Sequence, residues 1–356
     1  MNMSLVQYKC PNCGGSLEFA PQTQKYECQY CMSAYTKEQI DDIFAENEAN
    51  PLTDADGPAA NDTDFCEHTA LYSCHNCGAE IIAEDNTSAT FCYYCKSPVI
   101  LTGRLSNEYR PSKVIPFKLT KDNAIDEFKK MCSKRWFLPS DFTSQTQLDS
   151  ITGVYVPYWL ADCSANGSMT ALAKNIRTWT AGDRRYTNTK EYRCVRTADF
   201  KFKGIPADAS SKFPDDLMEA IEPFDYKDMT DFSMSYLSGF MADKYDVDKA
   251  SVFTRIRDRL TGGANKLMRD TINGYTSVAI EQSNVSIMNT KWNYILLPVW
   301  FMTYSYGGKK FFYALNGQTR KISGELPVSK AKMFLTAAGV ALVTFIISML
   351  IGGLAG

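Results

Sequence analysis

The sequence predicts an α+β protein built from two cysteine-stapled modules, an antiparallel-sheet-rich body with helices, and one long apolar segment at its C-terminus. Three observations lead there. Four Cys-x-x-Cys pairs fall into two equally spaced sets, alternating runs of aromatic and β-branched residues fill the middle, and residues 333–355 read MFLTAAGVALVTFIISMLIGGLA without a charge. A chain of 356 residues that is 45% hydrophobic and 13% aromatic can bury a substantial core. Its net charge of -2 gives no global signature of a nucleic-acid binder.

The cysteines come first. Cys10-Pro-Asn-Cys13 is followed after fourteen residues by Cys28-Gln-Tyr-Cys31, and Cys74-His-Asn-Cys77 after fourteen by Cys92-Tyr-Tyr-Cys95. The two sets superimpose at an offset of 64 residues (10 to 74, 28 to 92), which also pairs Tyr8 with Tyr72, Gly14 with Gly78 and Leu17 with Ile81. This is an internal duplication. Two residues between thiolates let both sulfurs meet one metal from a tight turn, and Gly14 and Gly78 can supply the positive φ such a turn needs. Short alternating runs between the pairs suit a hairpin that brings the second pair back to complete a tetrahedron. Each set is therefore expected to be a zinc ribbon, at 1–35 (Cys10, Cys13, Cys28, Cys31) and 66–99 (Cys74, Cys77, Cys92, Cys95), with two structural zinc ions in all. Four protein ligands leave no open position for water, so the metal would be structural. A module this small has little core of its own, and metal binding is expected to supply most of its folding energy. Cys66, His68 and His75 are read as bystanders, and Cys132, Cys163 and Cys194 as small apolar side chains.

Between the ribbons, 36–65 is expected to hold a short helix and an acidic linker. Thr36-Lys-Glu-Gln39 fits a capping box, with Ile40, Ile43 and Phe44 on one face. The segment carries nine acidic residues against Lys37 alone. In the body, 100–330, Val114-Ile-Pro-Phe117 reads as a strand, and Ile125, Phe128, Cys132 and Trp136 line one face of a following helix. Gly153-Val-Tyr-Val-Pro-Tyr-Trp159 is a strand whose Pro157 points to an edge or a bulge. Residues 169–202 alternate as antiparallel strands around a turn at 181–183. Acidic helical segments are expected over 215–245, with Phe232, Tyr236 and Phe240 as their apolar stripe. Asp248 caps a helix that Gly262-Gly263 should break, and strands close the body around 294–300, 310–315 and 321–322, with turns at Gly307-Gly308 and Asn316-Gly317. The likeness of Pro157-Tyr-Trp159 to Pro298-Val-Trp300 allows a degenerate duplication of the body.

Residues 333–355 as a helix reach about 35 Å at about 1.5 Å per residue, enough for a hydrocarbon layer of roughly 30 Å. Lys321, Lys330 and Lys332 precede this span and nothing charged follows it, so the positive-inside rule predicts a single-pass, tail-anchored protein of the cell membrane with its N-terminal part cytoplasmic. The opening MNMSLVQYKC lacks an apolar secretory core, which agrees.

No catalytic constellation is evident, and the expectation is a protein that is not an enzyme. Both histidines lie before residue 76, no phosphate-cradling G-x-x-x-x-G-K-[ST] loop occurs, and Asp215, Asp216 and Glu219 read as a solvated helix face. No small-molecule substrate is implied. Two basic stretches remain: 174–203 holds nine basic and three acidic residues interleaved with Trp179, Tyr186 and Tyr192, and 301–332 holds six basic residues against Glu325. The first is compatible with nucleic-acid contact, the second with an anionic leaflet.

Taken together, CPNCG at 10–14, VIPF at 114–117, GVYVPYW at 153–159, IEPFDY at 221–226, ADKYDV at 242–247, LLPVW at 296–300 and LNGQTRKISGELPV at 315–328 resemble bacterial TFIIB-type zinc-ribbon proteins, some mislabelled as primosomal helicases. His75 stands where that group usually has proline, and Met32 and Lys96 where a knuckle glycine is common. The helicase label does not suit a chain without a nucleotide-binding loop. The resemblance implies a membrane scaffold whose protein partners are SPFH-domain or PspA-type envelope-stress proteins. The leading expectation is a scaffold or adaptor with its ribbons on an acidic tether, nucleic acid being an unlikely partner; the alternative is a membrane-tethered zinc-ribbon regulator that binds nucleic acid.

Overall fold

The computed structural model describes residues 8–13, 16–45, 69–74, 80–84, 90–92, 98–104, 110–237 and 239–354. They form an α+β fold whose contacts divide into two compact units. Unit 1 takes residues 1–156, 210–244 and 296–356, and unit 2 takes 157–209 and 245–295, so the expected body at 100–330 contributes to both. The expected linker at 50–64, Gly14, Gly78, Cys66, His68 and His75 lie outside the described residues.

Unit 1 opens with a four-stranded antiparallel sheet in chain order: β1 (Tyr8–Lys9), β2 (Ser16–Ala20), β3 (Lys25–Cys28) and β4 (Ala34–Tyr35). Helix α1 (Lys37–Ala45) follows, and its capping box forms as expected: the Thr36 hydroxyl accepts from Gln39 N–H at 3.3 Å while the Gln39 side chain accepts from Thr36 N–H at 2.9 Å. The duplication is visible in the backbone. β5 (Thr69–Ser73), β6 (Glu80–Glu84), β7 (Thr90–Phe91) and β8 (Pro98–Arg104) repeat the first four strands at the same offset. Tyr8 faces Leu17 as Tyr72 faces Ile81, and Glu27 faces Ala34 as Phe91 faces Pro98.

After β9 (Lys113–Val114), Thr120 caps α2 (Lys121–Ser133), and α3 (Gln145–Asp149) precedes the long strand β10 (Thr152–Ala181). Four of the motifs that carry the family resemblance, VIPF, GVYVPYW, LLPVW and LNGQTRKISGELPV, meet in the core of this unit. Phe117 stacks on Phe240 with ring centroids 4.1 Å apart and meets Tyr155 and Trp300 edge-on at 5.0 and 5.3 Å. The Trp300 indole N–H donates to Leu119 O. Gly153 and Gly317 lie so close to these rings that a Cβ at either would come within 3 Å of Phe240 or Phe117. Those four motifs therefore encode packing.

Unit 2 is built on a hairpin of β10 and β11 (Arg184–Asp208), with Gly182 at positive φ in its turn as the alternation predicts. The strand is not an edge at Pro157. Parallel pairing to β13 (Met241–Asp243) runs through Tyr155 and pairing to β11 starts at Tyr158, so the missing N–H falls between two ladders. The register irregularity comes later, between Ala161 and Cys163.

Three expectations are corrected. Among the described residues of 215–245 there is only one short α-helix, α4 (Asp215–Ala220), with two 3-10 turns and the short strands β12 (Thr230–Asp231) and β13. Phe232, Tyr236 and Phe240 are all buried, but from separate turns interrupted at Gly239, whose φ is +85°. Gly262 and Gly263 do not break α5 (Lys249–Asp270). Each glycine costs about 1 kcal/mol in a helix, and the buried stripe Val252, Ile256, Leu260, Ala264 and Met268 outweighs that. Asp248 does cap it, accepting from Ser251 N–H at 2.7 Å. Lastly, α2 ends at Ser133, and Trp136 is 84% exposed rather than part of the helix's buried face. The chain then returns through β14 (Ser277–Tyr306), β15 (Lys309–Asn316) and β16 (Ile322–Gly324) to α6 (Lys330–Leu354).

Candidate metal centre and membrane helix

β2 and β3 form a hairpin that returns the chain to its start, so the Cys10–Cys13 turn and the Cys28–Cys31 turn face each other. The four sulfurs lie within 4.8 Å of one another, with Cys10 to Cys31 and Cys13 to Cys28 both at 3.5 Å. A disulfide needs about 2.0 Å between sulfurs. A tetrahedral zinc at about 2.3 Å from each thiolate needs about 3.8 Å between them, so this set fits a four-coordinate ion and not a crosslink. Cys10 and Cys28 are buried, Cys31 half-buried and Cys13 exposed.

The surroundings favour thiolate. Ser33 places its hydroxyl 3.2 Å from the Cys31 sulfur, and with its backbone N–H holds that thiol down to about 6. Burial pushes Cys10 up, but N–H groups of Asn12 and Cys13 and the Tyr35 hydroxyl at 3.7 Å outweigh it, leaving the thiol below its ordinary range. Tyr35 is raised in turn, chiefly by that contact with Cys10. Thiolate is the form that ligates metal. The second turn closes through Met32 N–H to Cys28 O, with Met32 at φ +62° where the resemblance leads one to expect glycine. Of the second set, Cys74 and Cys92 are buried, while Cys77 and Cys95 lie outside the described residues.

The first module is not a free head. Tyr26 is fully buried, its hydroxyl donating to Ser235 Oγ at 2.8 Å, and Phe19 meets Tyr236 edge-on at 5.6 Å. The Gln24 amide reaches Phe117 O at 2.8 Å. A module expected to have almost no core thus shares one with the body. Sequence reasoning missed this docking because Tyr26 and Ser235 are 209 residues apart.

The one helix among the described residues long and apolar enough to cross a membrane is α6. Its Lys330–Ile347 window has a mean hydropathy of 1.7 and no buried residue. Thr336 and Thr344 return their hydroxyls to Lys332 O and Val340 O, so these polar side chains are satisfied within the helix. Cys132, Cys163 and Cys194 are buried, as small apolar residues should be, and burial pushes the Cys132 thiol up to about 11. Asp215, Asp216 and Glu219 stand on the exposed side of α4.

Fold and site together define an α+β protein with an apolar C-terminal helix and a four-cysteine cluster that could hold a metal ion. No family model matches the chain and no solved structure matches it. It is 33% identical over 358 residues to the uncharacterized protein YdjG of Bacillus subtilis (strain 168), covering 98% of this chain and 99% of that protein. The chain belongs to the family of YdjG.

Proposed function

We propose that this protein is a scaffold or adaptor held to the cell membrane by α6, with its metal-stapled part cytoplasmic, where it recruits protein partners without catalysing a reaction. The observation that carries this reading is the first cysteine cluster. Its four sulfurs leave a metal no open position, and beside them Tyr30 and Met32 are 78% and 83% exposed. Large side chains of these types held out by a rigid turn are the kind that anchor protein interfaces. The exposed apolar length of α6 supports the anchor, and Lys330 and Lys332 at its start support a cytoplasmic body. Both clusters hold structural zinc in this reading, the second through Cys74, Cys77, Cys92 and Cys95. The resemblance to TFIIB-type zinc-ribbon proteins supplies the partner class, SPFH-domain or PspA-type proteins. Detergent extracts should yield such partners with the full chain, and Tyr30→Ala should release them while leaving metal content unchanged. Recovery of the same partners after Tyr30→Ala and after Cys10→Ser with Cys74→Ser would remove ribbon-mediated recruitment.

A second reading rests on the unit 2 hairpin. Beyond its packed base, Arg177, Trp179, Arg184, Tyr186 and Lys190 fall on one face by register, all exposed, with Trp179 stacked on Tyr186 at 5.7 Å. Cations and aromatic rings on one strand face suit single-stranded nucleic acid. Binding of a labelled oligonucleotide that weakens steeply with salt and with Arg184→Glu/Arg185→Glu would support it; none at low salt would end it.

A further inference from the structure

The exposed Trp136 has a setting that the helical pattern of α2 does not account for. It stands in the loop after that helix, and the next residue, Phe137, accepts a hydrogen bond from Ser329 N–H at 2.7 Å. This ties the loop to the residue just before α6. Between them opens a cleft of about 630 Å³ whose lining includes Lys129, Ser133, Arg135, Trp136, Thr143 and Lys332. Lys129, Arg135 and Lys332 have no ion-pair partner among the described residues, whereas the adjacent Lys130 is held by Glu127 at 2.9 Å. Three cations without such a partner and the Thr143 hydroxyl therefore share one concave site with an exposed indole. It lies where the polar chain gives way to Met333, Phe334 and Leu335, all exposed.

We propose that this cleft binds the phosphate of an anionic glycerophospholipid headgroup, with Trp136 seated among the neighbouring headgroups. The proposal rests on reading α6 as the membrane anchor. Charge complementarity selects the ligand: Lys129, Arg135 and Lys332 match a phosphodiester, and the hydroxyl of Thr143 can donate to one of its free oxygens, the Ser133 hydroxyl being already given to Lys130 O at 2.9 Å. Tryptophan is enriched at the membrane boundary because one side of the ring is apolar and its N–H needs a polar partner. A basic pocket at the foot of a membrane helix has a lipid headgroup beside it as soon as the helix is inserted.

The test uses the full chain in neutral phosphatidylcholine vesicles doped with a minor fraction of brominated phosphatidylglycerol or, separately, brominated phosphatidylcholine. The signal lost in Trp136→Phe isolates the indole of interest. Quenching should favour the brominated anionic lipid, and Lys129→Glu/Arg135→Glu should reduce that preference on the order of fivefold per charge, at about 1 kcal/mol for each basic group at the surface. Arg135→Lys should keep most of it. Equal quenching by both lipids, or a preference that survives the charge reversals, overturns the proposal. Loss of the preference on adding free glycerol phosphate would make the cleft a soluble-phosphate site and overturn the lipid assignment. Failure of the chain to float with the vesicles would instead refute the anchor reading, a separate result.

Discussion

Docking of the first cysteine module onto the body makes metal affinity depend on residues far from the metal. Tyr26 lies two positions before Cys28 on β3, so the same strand presents a ligand and the docking side chain. Its hydroxyl donates to Ser235 Oγ at 2.8 Å, and Ser235 also lies 2.9 Å from Ser233 Oγ, which softens the loss of Tyr26. Tyr26→Phe or Ser235→Ala should each cost about 1 kcal/mol of docking. Because metal binding and docking both require the folded module, that free energy transfers to the metal, weakening it about fivefold. The double variant should do little more than either single one, since both remove the same bond. Tyr26→Ala also removes a buried ring that packs on Phe19 at 5.3 Å, at about 3–5 kcal/mol, or roughly two to three and a half orders of magnitude in affinity. The assay is zinc competition with a chromophoric chelator on the detergent-solubilised chain, with Cys74→Ser and Cys92→Ser leaving one cluster to report. If Tyr26→Ala left the chelator titration unmoved, docking and metal binding would be independent and the reasoning refuted.

Other outcomes follow from single positions. Met32→Gly should stabilise the first cluster by about 0.5–1 kcal/mol, read as a higher thermal midpoint with zinc bound, because Met32 sits at φ +62° with its side chain in solvent and nothing packed is lost. Gly317→Ala should destabilise unit 1 by about 1–3 kcal/mol in a denaturant titration, since its Cβ would meet the Phe117 ring at 2.7 Å and Pro298 at 3.0 Å. The Lys118 ammonium, 2.6 Å from Asp228, holds that carboxyl below its ordinary range, with Gln318 adding a further hydrogen bond. A depressed folded value means the unfolded chain takes up its proton first, so this stabilisation is full above about pH 4 and lost as pH falls through the folded value. Asp228→Asn should flatten the acid limb of stability against pH, and an unchanged limb would exclude the pair as a contributor.

What the sequence made legible was local. Capping by Thr36 and Asp248 depends on residues three apart, and the turn at Gly307-Gly308 on two adjacent positive φ values, so both can be read from a short window. The first cluster was legible because pair spacing is fixed by metal geometry. Misreadings arose where distant contacts decided. A four-residue apolar period over Phe232, Tyr236 and Phe240 mimics a helix, yet each side chain answers to a different neighbour: Tyr236 to Phe19, Phe240 to Phe117. Trp136 continued the stripe of α2 in sequence but left the helix in space. Only its nearness to the foot of α6 gives a reason for its exposure.

The duplicated modules show how the same local code can be turned to two settings. Leu17 and Glu18 occupy the positions that Ile81 and Ile82 hold in the second copy, and the pairing of the strand before them is the same in both. In the first copy only Leu17 is fully buried and Glu18 stays partly in water, the alternation of a strand with one covered face. In the second, both isoleucines are buried, and β6 carries the sheet onward by pairing Ile82 with Ala242 and Ile81 with Asp243. A glutamate at position 82 would have to be buried beside Ala242, at a desolvation cost that favours leaving the sheet. The change from Leu-Glu to Ile-Ile therefore marks which copy is built into the body through its backbone and which is docked through side chains. This difference places the burden of cohesion on the Tyr26 contact in the first copy and on strand pairing in the second.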